Sequence, residues 1–249
     1  MTKIGLITIG QSPRSDVVPD MAAVLGGDVE IVEAGALDGQ SRERIAALGP
    51  EGDDEILVTR LADGSSVFVG KSRVIPLVEA RVAELEDRGV ALNVLLCTGA
   101  FPRLAARRPL LEPQQLLLGL LRALTFPGRL GVLTPSERHV SQTAARWREA
   151  GFDAHVVPLS PYEETDPAAV RGAADALRAG HAGLVVMDCI GFRRKTRDEI
   201  AAVTGVPVLL ANLLVARVAA EIVSEGGSAP LPNLPPEPGC AGRAGARTT

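Results

Sequence analysis

The sequence predicts an α/β protein made of two similar α/β lobes with parallel sheets, and three observations carry that prediction. Apolar runs of strand length alternate with helical stretches through most of the 249 residues, the pattern of βαβ units. The segment "KIGLITIGQSPR" (3–14) is echoed by "RLGVLTPSER" (129–138): a basic residue, an aliphatic, Gly, two aliphatics, Thr, then a loop with Ser and Arg. The segment "NVLLCTGAF" (Asn93–Phe101) is echoed by "GLVVMDCIGF" (Gly183–Phe192), so that Cys97 and Cys189 each close an apolar run and are followed by Gly and then Phe.

The elements follow in order. "KIGLITIG" is a continuous apolar strand closed by Gly, and "RSDVVPDMAAVLGG" reads as a helix. "VEIVEAG" is a second strand, and "SRERIAALGP" is a short helix with Ser41 as N-cap and a Gly-Pro stop. "ILVTRLADGSSVFVG" departs from the pattern, because two alternating runs flank Ala62-Asp63-Gly64-Ser65 as in a β-hairpin. "KSRVIPLVEARVAELEDRG" resumes as a helix and leads into the strand "VALNVLLC". After Cys97 comes the helix "LEPQQLLLGLLRAL", with Pro113 in its first turn, and then the second copy opens at "GRLGVLT". Helix "HVSQTAARWREAG", strand "DAHVVPL", helix "DPAAVRGAADALRAG" and strand "AGLVVMDC" follow, and "VPVLLAN" with "LLVARVAAEIVSEGG" forms a last strand and helix. Parallel strands joined by such helices imply right-handed crossovers, one sheet per half. The expected division is a first lobe over 1–110 completed by 212–227, a second over 111–211, and a disordered Pro/Gly/Ala-rich tail over 228–249 that contains Cys240.

Composition narrows the function. A hydrophobic fraction of 46% fills a sizeable core, while a net charge of -4 without basic clustering gives no footprint for a nucleic-acid backbone or an anionic membrane. Aromatics at 3% leave no stacking surface for bases. The opening apolar run is too short for a signal-peptide core, and "LLLGLLRAL", cut by Arg122, falls short of the ~20 residues that span a bilayer. The expectation is a cytoplasmic protein whose three cysteines are free thiols, acting on a small molecule.

In parallel α/β sheets ligands bind beyond the carboxyl ends of the strands. The loops at Gln11 to Arg14 and Thr134 to Arg138 lie at such ends, as do Cys97 and Cys189. If the halves face each other, both thiols look into one cleft from opposite sides. A matched pair of weak acids suits removal and return of a proton at one carbon: a thiolate takes it from one face and a thiol delivers one to the other. Helix N-termini after each cysteine are expected to lower the thiol pKa, and Arg14 and Arg138, unless merely solvated, to bind a carboxylate bidentately. That chemistry needs no metal or organic cofactor. Asp188 is the oddest residue, since a carboxylate ending a buried strand needs a partner or a role: either a cap for the next helix, or activation of Cys189 or a substrate amine. The cluster from Arg193 to Arg197 reads as a solvated helix start rather than an anion site, and Asn212 either caps the last helix, the favoured reading, or reaches the cleft. His139, His155 and His181 show no partner pattern and read as surface or satisfied histidines. No G-x-G-x-x-G, P-loop or G-x-S-x-G is present.

The segments "TIGQSPR", "CTGAFP", "DCIGF" and "PVLLANLLVARVAAE" together resemble the AroM-like proteins, which are similar to the aspartate/glutamate racemase superfamily with its hydantoin racemases, maleate isomerases and arylmalonate decarboxylases. The resemblance runs from about Lys3 to Ile222. It implies two α/β lobes, cofactor-independent proton transfer between them, and one cysteine per lobe, which by position are Cys97 and Cys189; a homodimer is plausible by the same analogy. Amino-acid racemases of this type usually continue with Asn-Thr after the first cysteine, and with Thr and a polar residue after the second. This chain has Thr98-Gly99 and Ile190-Gly191 instead. The resulting expectation is a racemase or isomerase of a small carboxylate, with Cys97 and Cys189 as acid/base pair and Gln11, Ser12, Arg14, Thr98, Gly99, Thr134, Ser136, Asp188, Ile190 and Gly191 around the substrate. A single-cysteine decarboxylase or isomerase, and a two-lobed module that closes on a small anion without chemistry, remain open beside it.

Overall fold

The computed structural model describes residues 1–162 and 166–224; the expected tail and Cys240 lie outside them. The first half contains β1 (Thr2–Thr8), α1 (Val18–Leu25), β2 (Val29–Gly35), α2 (Arg42–Ala46), the strands β3 (Ile56–Arg60) and β4 (Ser66–Gly70), α3 (Lys71–Asp87), β5 (Leu92–Leu96), β6 (Leu110–Leu111) and α4 (Pro113–Arg122). The second contains β7 (Arg129–Thr134), a 3-10 turn at Glu137–His139, α5 (Val140–Glu149), β8 (Ala154–Pro158), α6 (Pro167–Ala179), β9 (Ala182–Met187), α7 (Arg194–Thr204), β10 (Val208–Leu210) and α8 (Ala211–Val223).

Two parallel four-stranded sheets result, ordered β2-β1-β5-β6 and β8-β7-β9-β10. The orders correspond strand for strand, so the fold is α/β with the repeat expressed as two like sheets. Cys97 follows the third strand of the first sheet, and Cys189 follows that of the second, one residue beyond Asp188.

Alternation along the strands divides the core into three clusters. Ile4 and Leu6 of β1, Leu92, Val94 and Leu96 of β5, Leu130 and Val132 of β7, and Leu184 and Val186 of β9 meet in one cluster with Trp147 and the buried side of α8. The odd residues Ile7 and Leu95 pack outward against α3 and the β3–β4 hairpin, and Leu133, Val185 and Met187 pack outward against α6 and α7. The middle cluster draws on both sheets, so the halves share a core. Helix α8 packs on α1, α4 and β5 as well as on β10. Among the described residues no helix is long and apolar enough to cross a membrane.

Three differences between sequence and structure concern the elements and their ends. The short edge strand β6 was not foreseen, because two residues carry no periodicity. Asn212 does not cap the last helix: Leu210 holds the N-cap position, and Asn212 Nδ2 donates to the carbonyls of Ile190 (2.8 Å) and Phe192 (2.7 Å), pinning the turn after Cys189. The third concerns Cys97, which is followed by an irregular stretch reaching to β6 rather than by a helix.

The hairpin crosses from one half to the other. Gln142 of α5 pairs with the backbone of Ile56 as a strand would, its Oε1 accepting from Ile56 N (3.1 Å) and its Nε2 donating to Ile56 O (2.7 Å). Arg138 lies 4.3 Å from the centre of the Phe68 ring, a cation–π contact. On the first-half side Gln11 N donates to Arg60 O (3.1 Å), and Gln11 Oε1 accepts from Ala62 N (2.9 Å). This closeness depends on Gly10, where a Cβ would stand 2.3 Å from both Arg60 O and Thr59 Oγ1. Gly10→Ala is therefore expected to push the hairpin off β1 and to destabilise the protein by about 1–3 kcal/mol, the usual cost of overpacking. Denaturant titration measures the loss, and hydrogen exchange at 56–70 locates it.

Candidate active site

One cavity opens at the carboxyl ends of β1, β5, β7 and β9, between the sheets and beneath the hairpin, and gives water about 40 Å³ of space. Cys97, Thr98 and Gly99 line it from the end of β5, Asp188, Cys189 and Ile190 from the end of β9, Thr134 from β7 and Arg14 from the loop after β1. These residues, all singled out in the sequence, are brought together. Gln11, Ser12, Ser136 and Gly191 do not line the cavity. Gln11 holds the hairpin as described, and Ser12 donates from its hydroxyl to Asp38 Oδ2 (2.6 Å) and from its N–H to Asp38 Oδ1 (2.8 Å). The Ser136 hydroxyl is 2.8 Å from His139 Nδ1. Gly191 lets Tyr162 close over the site, since a Cβ there would lie 2.7 Å from the ring.

Neither expected arginine presents a free fork to the cavity. Arg138 is exposed, lies over the Phe68 ring and does not line the cavity. Arg14 is buried, and its Nε and Nη2 each donate to Asp16 at 2.8 Å while Nη1 donates to Thr8 Oγ1 at 3.1 Å. Burial opposes the Arg14 charge, but the hydrogen bonds and charge of Asp16 outweigh it, and its pKa is raised. Asp16, two residues along the same loop, supplies the carboxylate the reading reserved for substrate.

The thiols also differ from expectation. Burial pushes Cys97 up to about 12, against the Gly99 N–H at 3.4 Å and the nearby charge of Arg146. No helix dipole reaches it, because no helix starts there. Burial raises Cys189 too, opposed by the Tyr162 hydroxyl at 3.5 Å, the Gly191 N–H and the nearby Arg14 charge. Burial holds the Tyr162 phenol well above its ordinary value. At rest the site holds two thiols and a phenol, all protonated.

Helix α5 supplies a wall the sequence did not announce. His139, Gln142, Thr143 and Arg146 recur at a spacing of three or four, one helical face, and all line the cavity. Arg146 Nη2 donates to Asp188 Oδ2 at 2.5 Å, and Trp147 Nε1 donates to the same oxygen at 2.8 Å. Arg146 Nη1 also reaches Glu55 Oε1 at 3.4 Å, and Glu55 is paired with Lys71. Burial works against the Arg146 charge, but Asp188 and Glu55 raise its pKa overall. Asp188, whose side chain has no exposed surface, is thus an ion-pair partner rather than a helix cap. The imidazole of His139 is held down to about 4 by burial and by the charges of Arg146 and Arg138, so it is neutral near pH 7. The recurrence in "HVSQTAAR" was legible; which way that face points was not. The hairpin contributes Leu57, Val58 and Thr59 to the lining. Among the described residues no three His, Cys, Asp or Glu side chains cluster as a metal site would need.

Two outcomes follow for pH. Alkylation of Cys97 by iodoacetamide, followed by peptide mass mapping, is expected to keep accelerating with pH beyond pH 10, where an ordinary thiol, with a pKa near 8.5, has levelled off. For His139 the folded pKa lies below the unfolded value of about 6.5, so as pH falls from there to about 4 the unfolded chain binds a proton that the folded one refuses. Stability is lost through that window. His139→Gln should flatten the loss when unfolding free energy is followed against pH.

The comparisons with known proteins agree with this architecture. The structure is similar to allantoin racemase from Pseudomonas fluorescens (TM-score 0.57, 19% identity, covering 90% of this chain and 92% of that one). It is similar also to arylmalonate decarboxylase (TM-score 0.60, 18% identity, 91% and 94%) and to the maleate isomerase Iso from Pseudomonas putida (TM-score 0.59, 15% identity, 88% and 92%). At such identities the likeness speaks for the fold. No curated protein matches the sequence. The family model described as AroM protein matches residues 4–223, nearly all of the described chain, and the chain belongs to the AroM family.

Proposed function

We propose that the protein is a cofactor-independent racemase or isomerase that moves a proton at a carbon next to a carbonyl of a small carbon acid, a carboxylate or hydantoin-like relative, with Cys97 and Cys189 as the acid/base pair. One observation carries the reading: two thiols at the ends of corresponding strands line a single cavity from its two sheets. The racemase, isomerase and decarboxylase activities named for proteins of the same fold support it by analogy.

Cys189 has the larger set of donors for a thiolate, Tyr162 Oη, Gly191 N–H and the charge of Arg14, and acts first as base. It must first lose its own proton to solvent; the resulting Cys189 thiolate takes the substrate proton onto Sγ, and the Cys97 S–H delivers a proton to the opposite face of the carbon, leaving Cys97 as thiolate. The opposite enantiomer meets the swapped state and restores the first. A buried thiolate is a stronger base than a solvated one, which brings its proton affinity closer to that of a carbon acid. Thr98 and Thr134 border the space between the two thiols' strands and are assigned to the substrate's oxygens.

The inequality of the two thiols favours a second reading, in which Cys189 with Tyr162 works alone and Cys97 only shapes the site. Incubation in D2O with a panel of amino acids, hydantoins, malate and maleate, followed by NMR at the α-proton, separates the possibilities. The two-base mechanism expects exchange in the wild type and a loss of about 10²-fold or more of racemisation in both Cys97→Ala and Cys189→Ala. Full activity in either variant overturns it. Retention of configuration with Cys189 alone essential establishes the single-cysteine reading.

A further inference from the structure

The two thiols leave their strands differently. Past Cys189 the chain enters a turn that Asn212 holds through the carbonyls of Ile190 and Phe192. Past Cys97, residues 97–109 form neither helix nor strand, so no repeating backbone ladder fixes that exit. Phe101 and Leu104 anchor the stretch in the core of the first half, but apolar packing is not directional and does not by itself orient the backbone between Cys97 and Phe101.

A lysine meets that backbone. Lys71, the first residue of α3, donates from Nζ to Ala100 O at 3.0 Å. Ala100 stands three residues past Cys97, as Phe192 stands three past Cys189, so Lys71 and Asn212 grip corresponding carbonyls of the repeat. Lys71 is held in turn. Its ammonium is paired with Glu55, just before the hairpin, and its backbone N–H donates to Glu55 O at 2.9 Å. Glu55 Oε1 accepts from Arg146 Nη1 (3.4 Å), and Arg146 Nη2 donates to Asp188 Oδ2 (2.5 Å). Charges thus alternate from Asp188 through Arg146 and Glu55 to Lys71, in a row that starts at the residue before Cys189 and ends on the turn after Cys97. The side chains of Lys71 and Glu55 are only 23% and 20% exposed, so salt screens their pairing less than it would a surface pair.

We propose that Lys71 and Glu55 are positioning residues for Cys97: Lys71 fixes the turn that carries the thiol, and Glu55 joins that turn through Arg146 to Asp188 and the Cys189 side of the cavity. Neither lines the cavity, so each acts through the thiol and not on the substrate. The row sets where one thiol stands relative to the other, which neither half of the molecule determines alone. The assignment rests on the reading of Cys97 and Cys189 as the acid/base pair, whose chemistry needs both sulfurs placed about a single carbon.

The test is the rate at which iodoacetamide alkylates each thiol of the full chain at pH 9, read by peptide mass mapping, with circular dichroism to confirm the fold. Burial is the chief cause that holds the Cys97 thiol up; the charge of Glu55 adds to it and that of Arg146 opposes it. Lys71→Met opens the turn to water, and Cys97 is expected to react about tenfold faster, the factor that a hydrogen bond from a charged donor is worth, with Cys189 unchanged within about twofold. Glu55→Gln keeps the shape of the side chain, loosens Lys71 and removes a negative charge near Cys97, so it acts in the same direction and carries the test should Lys71→Met not fold. Lys71→Arg keeps the charge and the donors and is expected to recover most of the protection. A role in stability alone would speed both thiols together. An unchanged Cys97 in the folded variants, equal acceleration of both thiols, or no recovery in Lys71→Arg overturns the assignment. No substrate enters the measurement, so its outcome is independent of the proton-transfer reading, which the exchange experiment in D2O tests separately.

Discussion

Asp188 is the residue on which the site's geometry rests. A carboxylate without exposed surface is tolerable only because Arg146 and Trp147 both donate to one of its oxygens. Those two donors are consecutive on α5, so the end of β9 fixes where that helix lies and how it is turned. The same face then presents His139, Gln142 and Thr143, and Gln142 and Arg146 carry the constraint onward to Ile56 and Glu55. Removal of Asp188 would leave a buried guanidinium facing only Glu55 and would loosen the second sheet, α5 and the hairpin at once.

The electrostatics of the site share one cause, exclusion of water. Burial keeps the thiols and the phenol protonated and the imidazole unprotonated, and it makes the fixed charges pair with one another. Paired charges and oriented dipoles in such a region act strongly because the surroundings screen them weakly.

Much of this was legible in the sequence, and the remainder was illegible for identifiable reasons. The strand-closing cysteines and the oddity of Asp188 follow from local pattern, because a strand's length and its exit are encoded in a few consecutive residues. The hairpin was readable from its alternation, but its destination was not, since nothing in "ILVTRLADGSSVFVG" says that Gln142 will complete its edge. Arg14 reads as a substrate ligand from the likeness of its loop to the repeat, whereas the carboxylate that takes it, Asp16, lies two residues on in the same loop. His139 shows no partner pattern in the sequence and nothing there marks Arg146, since a polar helical face ordinarily means solvent, and only the docking of the second sheet against the first turns this one inward. The helix dipole expected at Cys97 failed because a Gly after a strand marks a turn without saying whether a helix follows.

Helix α8 has a consequence for how the chain is made. It follows β10 in sequence yet covers α1 and β5 of the first sheet. A ribosome therefore delivers the first sheet with part of its inner apolar face bare, and that face waits until the helix from Ala211 to Val223 has emerged. The early half of the protein is a client for whatever shields nascent apolar surface in the cell, and a messenger truncated before residue 211 would yield a product prone to aggregate rather than a smaller folded domain.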